Sequence, residues 1–312
     1  MELQQLRYVI AVAEEASFTR AAARCFVVQS ALSHQVKALE KELGVTLFAR
    51  TSRRVALTAA GSAFLPAARV SLEAAERAAA DAAAATGQVR GRLTVGVIPT
   101  VTAVDVPAAL GTFHRTHPQV RIALQVAGSD ELESSIAHGD VDVGLLGLPE
   151  NREPRGVAWR HLRSDRLVAV LSREHALAEH REVRLSDLAQ ETFVDFPAGT
   201  PGRTQSDLAF ATAGINRDVA FEAMATDLMI DLIRQNLAVT LLPSRYAPDD
   251  LALSAIPVTD GPSRAEYVAW SNFNPSPAAR AFLDTINCPD RCSATLNNAP
   301  DVGAAVHFRA LS

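Results

Sequence analysis

The sequence is poor in cysteine and in aromatic residues. Only three of its 312 residues are cysteine and 5% are aromatic. Cys25, Cys288 and Cys292 are too few and too scattered for a disulfide framework. Alanine and aliphatic residues must therefore build the cores, and a hydrophobic content of 48% is ordinary for a soluble globular protein.

The sequence also lacks any apolar run long enough to cross a bilayer. Its first residues, MELQQLRYVIAVAEE, have no basic leader, and acids follow their short apolar stretch at once, so they do not resemble a signal peptide. We therefore expect a cytoplasmic protein. A chain of 312 residues is longer than one core usually holds, which predicts two or more domains.

Motifs of catalysis and metal binding are missing as well: there is no P-loop, GxSxG or HExxH. His114 and His117 flank a helix end, where a polar pair is a simpler interpretation than a metal site. Cys288 and Cys292 form CPDRC without further ligands at metal-binding spacing, so unreactive thiols are favoured over a metal or redox pair. We predict no catalytic residues, no metal and no cofactor.

The net charge of −5 argues against binding of nucleic acid, but the distribution of the charged residues does not. Between residues 34 and 58 the only acids are Glu40 and Glu42. The basic residues of that segment are Lys37, Lys41, Arg50, Arg53 and Arg54. A local basic patch on an acidic chain is typical of a DNA-binding domain attached to an acidic one, although a solvated helix face is the alternative.

The first sixty residues have the pattern of a winged helix-turn-helix. Apolar residues recur at helical spacing over residues 3–15, Ser17 precedes a short alanine-rich helix, and a third helix ends at Gly44. Two β-like runs, VTLFAR and RVALT, then predict a hairpin. The outward face of the third helix would read base edges in a major groove. That face carries Gln29, Ser30, Ser33, His34 and Lys37. The hairpin would hold phosphates or a minor groove with Arg50, Arg53 and Arg54.

The rest of the chain changes pattern twice. Residues 58–86 are rich in alanine and almost free of helix breakers, which predicts a long helix with a narrow seam for pairing. From Arg92, short apolar runs alternate with helix-like stretches, which predicts an α/β architecture with largely parallel sheets. We expect the polar tail after Cys288 to be loosely ordered.

The N-terminal segment resembles the signature of LysR-type transcriptional regulators. The shared features are SFTxAA, QSALSxQ, ALExELG, LFxRT and LTxAG in an ungapped order. The resemblance implies a homodimer joined through the long helix, commonly a homotetramer, on a partly palindromic site whose half-sites are about 34 Å apart or at multiples of that distance. It also implies RNA polymerase as a partner and an effector domain similar to periplasmic solute-binding proteins.

This resemblance sets the predicted domain boundaries. The DNA-binding domain would cover residues 1–60, the linker helix 61–90, the effector domain 91–289 and the tail 290–312. Within the effector domain, subdomain I would comprise 92–161 and 267–289, and subdomain II would comprise 162–266.

The chain departs from the family pattern at three places. Val28 occupies a position where the family usually has Ser or Thr, and the loss of that helix cap costs about 1 kcal/mol. His34 stands where Arg is also common. NLAVTLLP replaces the family's GLGIALLP, with Asn236 and Ala238 at the usual glycines, which predicts an altered hinge or pocket wall.

The candidate effector site follows from the resemblance and from helix starts after strands, where free N–H groups favour small anions such as carboxylates. Its predicted residues are Thr100, Val101, Thr102, Ser129, Phe196, Gly199, Thr200, Arg203 and Thr226. The alternative is that the Thr and Ser residues merely cap helices and that Arg203 is a surface charge.

Together these observations predict a sequence-specific DNA-binding transcription regulator that a small effector modulates through a shift between two arrangements. A solute-binding protein is the second hypothesis, but it would need an export signal and no winged domain. An enzyme is the third, although no nucleophile and base can be named.

Overall fold

The computed structural model describes residues 1–50 and 55–287, with the side chain of Arg50 left out. It divides into two compact units, one of residues Met1–Gly91 and one that starts at Arg92. Each unit has a hydrophobic core of its own.

The N-terminal unit consists of three short helices, a two-stranded hairpin and a long helix. Its elements are α1 (Leu3–Glu15), α2 (Phe18–Arg24), α3 (Gln29–Leu43), β1 (Phe48–Arg50), β2 (Val55–Leu57) and α4 (Ala59–Ala84). Strands β1 and β2 are antiparallel. The predicted winged helix-turn-helix and long helix are therefore present.

The helices of this unit begin and end for identifiable reasons. The Ser17 hydroxyl caps α2 by accepting a hydrogen bond from the N–H of Arg20 at 3.3 Å. Gly44 ends α3 at a φ of 69°, in the left-handed region. The Thr58 hydroxyl caps α4 by accepting from Gly61 at 3.0 Å.

Side chains on the buried faces of the three short helices fix their positions. Leu32, Val36 and Leu39 of α3 are fully buried. The carboxylate of Glu40 accepts the N–H of Leu47 at 2.7 Å, which ties the end of α3 to the start of the hairpin. The outward face of α3 is thus determined by its buried face.

The second unit alternates strands and helices. Its strands are β3 (Gly91–Val97), β4 (Val120–Val126), β5 (Val143–Pro149), β6 (Ala158–Ser172), β7 (Thr192–Asp195), β8 (Asp218–Glu222), β9 (Thr240–Pro243), β10 (Leu253–Pro257) and β11 (Ser263–Trp270). Its helices are α5 (Val106–Thr116), α6 (Ser129–His138), α7 (Pro201–Thr212), α8 (Thr226–Arg234) and α9 (Pro277–Asn287), with a short 3-10 helix at Leu185–Leu188.

The main sheet is mixed, so the expectation of largely parallel sheets was wrong. Strand order is β10-β6-β11-β5-β3-β4, and β9 also pairs with β6. Strands β3 and β5 are parallel, as are β7 and β8. However, β11 is antiparallel to β5 and β6, and β6 is antiparallel to β9 and β10. The α/β fold class itself is confirmed.

Strands β6 and β11 cause the mixture because they carry the chain between the two halves of the unit. Residues 158–166 of β6 pair with β11, whereas residues 167–172 pair with β9 and β10. One continuous strand of 15 residues therefore belongs to both halves.

None of the helices within the described ranges is long and apolar enough to cross a membrane. Over the same ranges, the histidine, cysteine, aspartate and glutamate side chains form no cluster of three that would suit a metal ion.

Candidate nucleic-acid and effector sites

The outward face of α3 is polar, as its sequence pattern predicts. Gln29, Ser30, His34 and Lys37 are exposed, and Ser33 is half-buried. All five predicted side chains lie within the first nine residues of one helix. A helix that presents its N-terminal residues in this way has the form that enters a major groove.

Val28 is the N-cap residue of α3, and it provides no side-chain hydrogen bond there. Its backbone conformation is extended, with φ −74° and ψ 144°, which is the geometry in which a Ser or Thr hydroxyl would accept from the helix. The predicted loss of a cap therefore agrees with the structure. Val28 remains 68% exposed.

Of the basic residues of the predicted hairpin, only the backbone of Arg50 belongs to the described part of the chain. Arg50 ends β1, but its side chain lies outside the described part. Arg53 and Arg54 lie outside the described residues, as do Cys288 and Cys292. Cys25 is half-buried and packs against the core of the N-terminal unit, where burial raises the pKa of its thiol.

A cavity of about 50 Å³ lies in the cleft between the halves of the second unit. Four of the predicted effector residues line it, namely Thr100, Ser129, Phe196 and Thr200. They come from the carboxyl ends of β3, β4 and β7 and from the starts of α6 and α7. The cavity has room for a few water molecules or for a small polar group of a ligand.

The other five predicted effector residues do not line this cavity. They are Val101, Thr102, Gly199, Arg203 and Thr226. Thr102 faces Glu266, and the hydroxyl of Thr226 lies 2.5 Å from that of Tyr246. These hydroxyls bind other groups of the protein, although neither of them caps a helix as the alternative interpretation expected.

Arg203 is turned toward carboxylates of its own half. Its Nε lies 3.0 Å from Asp207, and its Nη1 lies 3.0 Å from Glu222. It also donates to the carbonyl of Phe196 at 3.2 Å. Arg203 thus supports the wall of the cavity, and its charge is balanced before any ligand arrives.

The hydroxyls that line the cavity also form hydrogen bonds with groups of the protein. Ser129 donates to the carbonyl of Gly147 at 2.9 Å and accepts its N–H at 3.0 Å. Thr200 caps α7 and donates to the carbonyl of Pro197 at 2.9 Å. The hydroxyl oxygen of Thr100 accepts from Arg264 at 2.7 Å, which leaves its proton to donate. Thr100 is therefore the hydroxyl best placed to meet a ligand.

A buried ion pair on β11 lies beside the cavity, and sequence reasoning missed it. Arg264 and Glu266 are 6% and 2% exposed, and they bind each other and the loop after β3. The Arg264 guanidinium donates to the carbonyl of Thr100 at 2.6 Å. Glu266 accepts the N–H of Thr102 at 2.9 Å and that of Ala103 at 2.8 Å.

This pair makes an unusual environment for a guanidinium. Burial lowers the pKa of Arg264, and Glu266 opposes that shift. The Nε of Arg264 is buried without a hydrogen-bond partner among the described residues. The run SRAEYVAW is otherwise mostly apolar, so its two charged residues could have indicated a buried ion pair from the sequence.

A buried acid lies on the opposite wall. Asp195 ends β7, is 2% exposed, and accepts the N–H of Phe196 at 2.7 Å. One of its oxygens lies 2.7 Å from Nη2 of Arg217. Burial nevertheless raises the pKa of Asp195, because desolvation outweighs the attraction of Arg217.

One residue of the altered glycine segment has a backbone conformation that suits glycine. Asn236 has a φ of 54°, in the left-handed region that glycine occupies readily and asparagine tolerates. The following Ala238 is buried against the core around α8. The expected loss of backbone freedom is therefore compensated at the first of the two positions.

Comparisons with known proteins identify the family of both units. The family model "Bacterial regulatory helix-turn-helix protein, lysR family" matches residues 3–62, and "LysR substrate binding domain" matches residues 86–288. The uncharacterized HTH-type transcriptional regulator YnfL of Escherichia coli (strain K12) is 34% identical over 90% of this chain and 96% of that protein. The Hca operon transcriptional activator HcaR of the same organism is 32% identical over 91% of this chain and 96% of that protein.

A solved structure shows the same architecture. The chain resembles full-length CbnR complexed with its target DNA, with a TM-score of 0.68 and 27% identity over 92% of this chain and 99% of that one. The protein therefore belongs to the LysR family of transcriptional regulators. It is a DNA-binding regulator with a domain for a small-molecule effector, and the prediction that it is not an enzyme is confirmed.

Proposed function

We propose that this regulator reads its DNA site with the face of α3 and senses a small organic anion in the cleft of its second unit. The face consists of Gln29, Ser30, Ser33, His34 and Lys37. The observation that supports DNA reading by this face is that it is polar and accessible while the opposite side of α3 is buried. Short polar side chains at a helix start suit contacts with base edges.

The basic residues of the hairpin would contribute affinity by contacting the DNA. Arg50, Arg53 and Arg54 follow α3 in the chain, and cations on a narrow wing suit phosphates or a minor groove. Such contacts carry little sequence information but make binding depend on salt.

A paired arrangement is part of this proposal. The long α4 would join two copies, and pairs of copies would make a tetramer on DNA. CbnR has been solved in complex with its target DNA. Because promoter DNA and RNA polymerase are the proposed partners, we infer that this protein acts in the cytoplasm.

The effector would sit where the starts of α6 and α7 approach the cavity. The first N–H groups of a helix have no partner within the helix and favour an anion. Arg264 adds a positive charge beside Thr100, although Glu266 balances part of it. The rest of the lining is mostly apolar, with Phe196, Met224 and others, although Asp195 and Gln205 also contribute to it, so a small carboxylate with an apolar body fits best.

Closure of the cleft would carry the signal. The side chain of Gln205 on α7 donates to the carbonyl of Ser263 at the start of β11, so the second half already contacts the strand that joins the halves. A ligand can change DNA binding only if it binds one arrangement better than the other.

The DNA proposal is tested by selection of duplexes from a random pool with the full-length protein. We expect one partly palindromic sequence to be enriched and Gln29→Ala to weaken its binding. Gln4→Ala, which makes the same change at an exposed residue of α1, is the control. Enrichment of no sequence at low salt would contradict the proposal.

The effector proposal is tested by calorimetry against a panel of small mono- and dicarboxylic acids. We expect at least one to bind and Thr100→Val to weaken it at least tenfold. Thr226→Val makes the same change outside the cavity and should leave binding intact. If the folded protein binds none of the acids, the proposal that the effector is a small organic anion is wrong.

A further inference from the structure

The turn between α2 and α3 has a specific hydrogen-bond pattern. The N–H of Val27 donates to the carbonyl of Ala22 at 3.0 Å, and the N–H of Phe26 donates to that of Ala23 at 3.1 Å. These two bonds, with Cys25 as the C-cap, make a Schellman motif. The residue after the C-cap of such a motif must adopt a left-handed conformation.

Phe26 occupies that position, where glycine or asparagine is usual. Its φ is 55°, which is unfavourable for a residue with a large side chain. The turn between the two helices requires this conformation whatever the side chain is. A phenylalanine there is therefore a cost to the stability of the N-terminal unit.

No burial offsets this cost. Phe26 is 94% exposed, whereas its neighbour Val27 packs against the core. Strained residues that the surrounding structure maintains are concentrated at functional sites. An aromatic side chain that is both strained and exposed points to contact with another molecule.

The position of Phe26 indicates which molecule. Phe26 lies three residues before Gln29, at which α3 begins, and Val28 between them is 68% exposed. We call Phe26 and Val28 the turn patch. The patch is continuous in the chain with the proposed DNA-reading face, so a groove occupied by the start of α3 would lie next to it.

DNA offers one prominent apolar group in its major groove, the 5-methyl of thymine. We propose that the turn patch, through Phe26 above all, contacts a thymine methyl at the edge of each half-site and so helps to select the sequence. This inference rests on the proposed DNA-reading role of α3. It adds an apolar specificity element to a face whose other members are polar.

The test uses the duplex that the full-length protein enriches from a random pool. Its thymines are replaced one at a time by uracil, which removes only the methyl group. Burial of one methyl is worth about a fourfold change in affinity. We expect about a fourfold loss at one thymine in each half-site.

The matched variants separate contact from structure. Phe26→Asn suits a left-handed turn, so it should leave the unit at least as stable and abolish the difference between thymine and uracil at that position. Phe26→Leu keeps an apolar side chain and should retain part of the difference. Leu251→Asn removes a side chain that is 98% exposed in the other unit and should change nothing.

Two results would overturn the inference alone. One is equal binding of thymine and uracil duplexes by the unchanged protein. The other is a Phe26→Asn variant that keeps the discrimination, even if it binds more weakly, because the patch would then contact the DNA backbone or another protein. Failure to enrich any duplex would instead refute DNA reading by α3, and the inference with it.

Discussion

The proposed recognition face of α3 and the proposed effector cavity hold their polar groups in opposite ways. On α3 the polar side chains are exposed, and buried leucine and valine residues beneath them hold the helix. At the cavity, Thr100, Arg264 and Glu266 are buried; Arg264 binds Thr100 across 164 residues of sequence and pairs with Glu266 on its own strand. Function and stability should therefore be separable on α3 and coupled at the cavity.

The largest effect that would test this contrast is expected for Glu266→Ala. Removal of one partner of a buried ion pair leaves a buried charge unpaired and costs about 3–5 kcal/mol. Both tryptophans, Trp159 and Trp270, lie in the second unit, so their fluorescence during urea unfolding reports on that unit alone.

The control for Glu266→Ala is Asp231→Ala in the same unit. Asp231 pairs with Arg234, but their side chains are 64% and 41% exposed. Exposed pairs contribute less than about 1 kcal/mol. Equal losses from the two variants would mean that the pair on β11 is not important for the stability of the cavity.

The next effect concerns His34→Ala on the recognition face. Loss of a base contact costs about 1–3 kcal/mol of discrimination, which is about a 5- to 150-fold change in relative affinity. Unfolding of the N-terminal unit, followed by far-UV circular dichroism, should change by less than about 0.5 kcal/mol. If His34→Ala lost much stability and kept its sequence preference, function and stability would not be separable on α3, and the contrast with the cavity would be wrong.

A smaller effect, and one of opposite sign, is expected for Val28→Ser. Val28 already has the extended backbone of a helix cap, so a serine hydroxyl can accept from the first turn of α3 and stabilise the unit by about 1 kcal/mol. The measurement is again circular dichroism during urea unfolding. Val28→Ala, which adds no acceptor, serves as the control and should show no such gain.

The smallest effect is a pH dependence at Glu133 of α6. Burial raises the pKa of this carboxyl above its ordinary value of 4.5, against the attraction of Arg152. The folded state therefore holds this proton more tightly than the unfolded state, and the contribution to stability falls as pH rises through the window just above 4.5.

Glu133→Gln keeps the shape of the side chain and removes the titration. The slope of unfolding free energy against pH, followed by tryptophan fluorescence from pH 4 to 7, should become less negative in that window. An unchanged slope would show that Glu133 does not contribute to it.

Much of the N-terminal unit could be predicted because its information is local. The spacing of Leu32, Val36 and Leu39 predicts which side of α3 is buried, and therefore which side is free. Val28 could be recognised as a missing cap for the same reason. The exposed and strained Phe26 was not predicted, because its conformation depends on how two helices meet.

The effector cavity was predicted only in part. Thr100, Ser129, Phe196 and Thr200 were found because they follow strands or start helices, and such positions converge in α/β folds. Arg203 does not line the cavity, and Asp207 and Glu222 bind it. Which partners a charged side chain finds depends on segments that are distant in sequence.

The sequence by itself determined the order of the elements, the polar face of α3 and the α/β class of the second unit, because periodicity and capping act over a few residues. Only the tertiary structure decided that β11 runs beside residues 158–166 of β6, while residues 167–172 of the same strand pair with β9 and β10. This arrangement places Arg264 and Glu266 against the loop of Thr100 and Thr102. Long-range strand pairing and the burial of charge fixed that site, and neither leaves a local pattern in the chain.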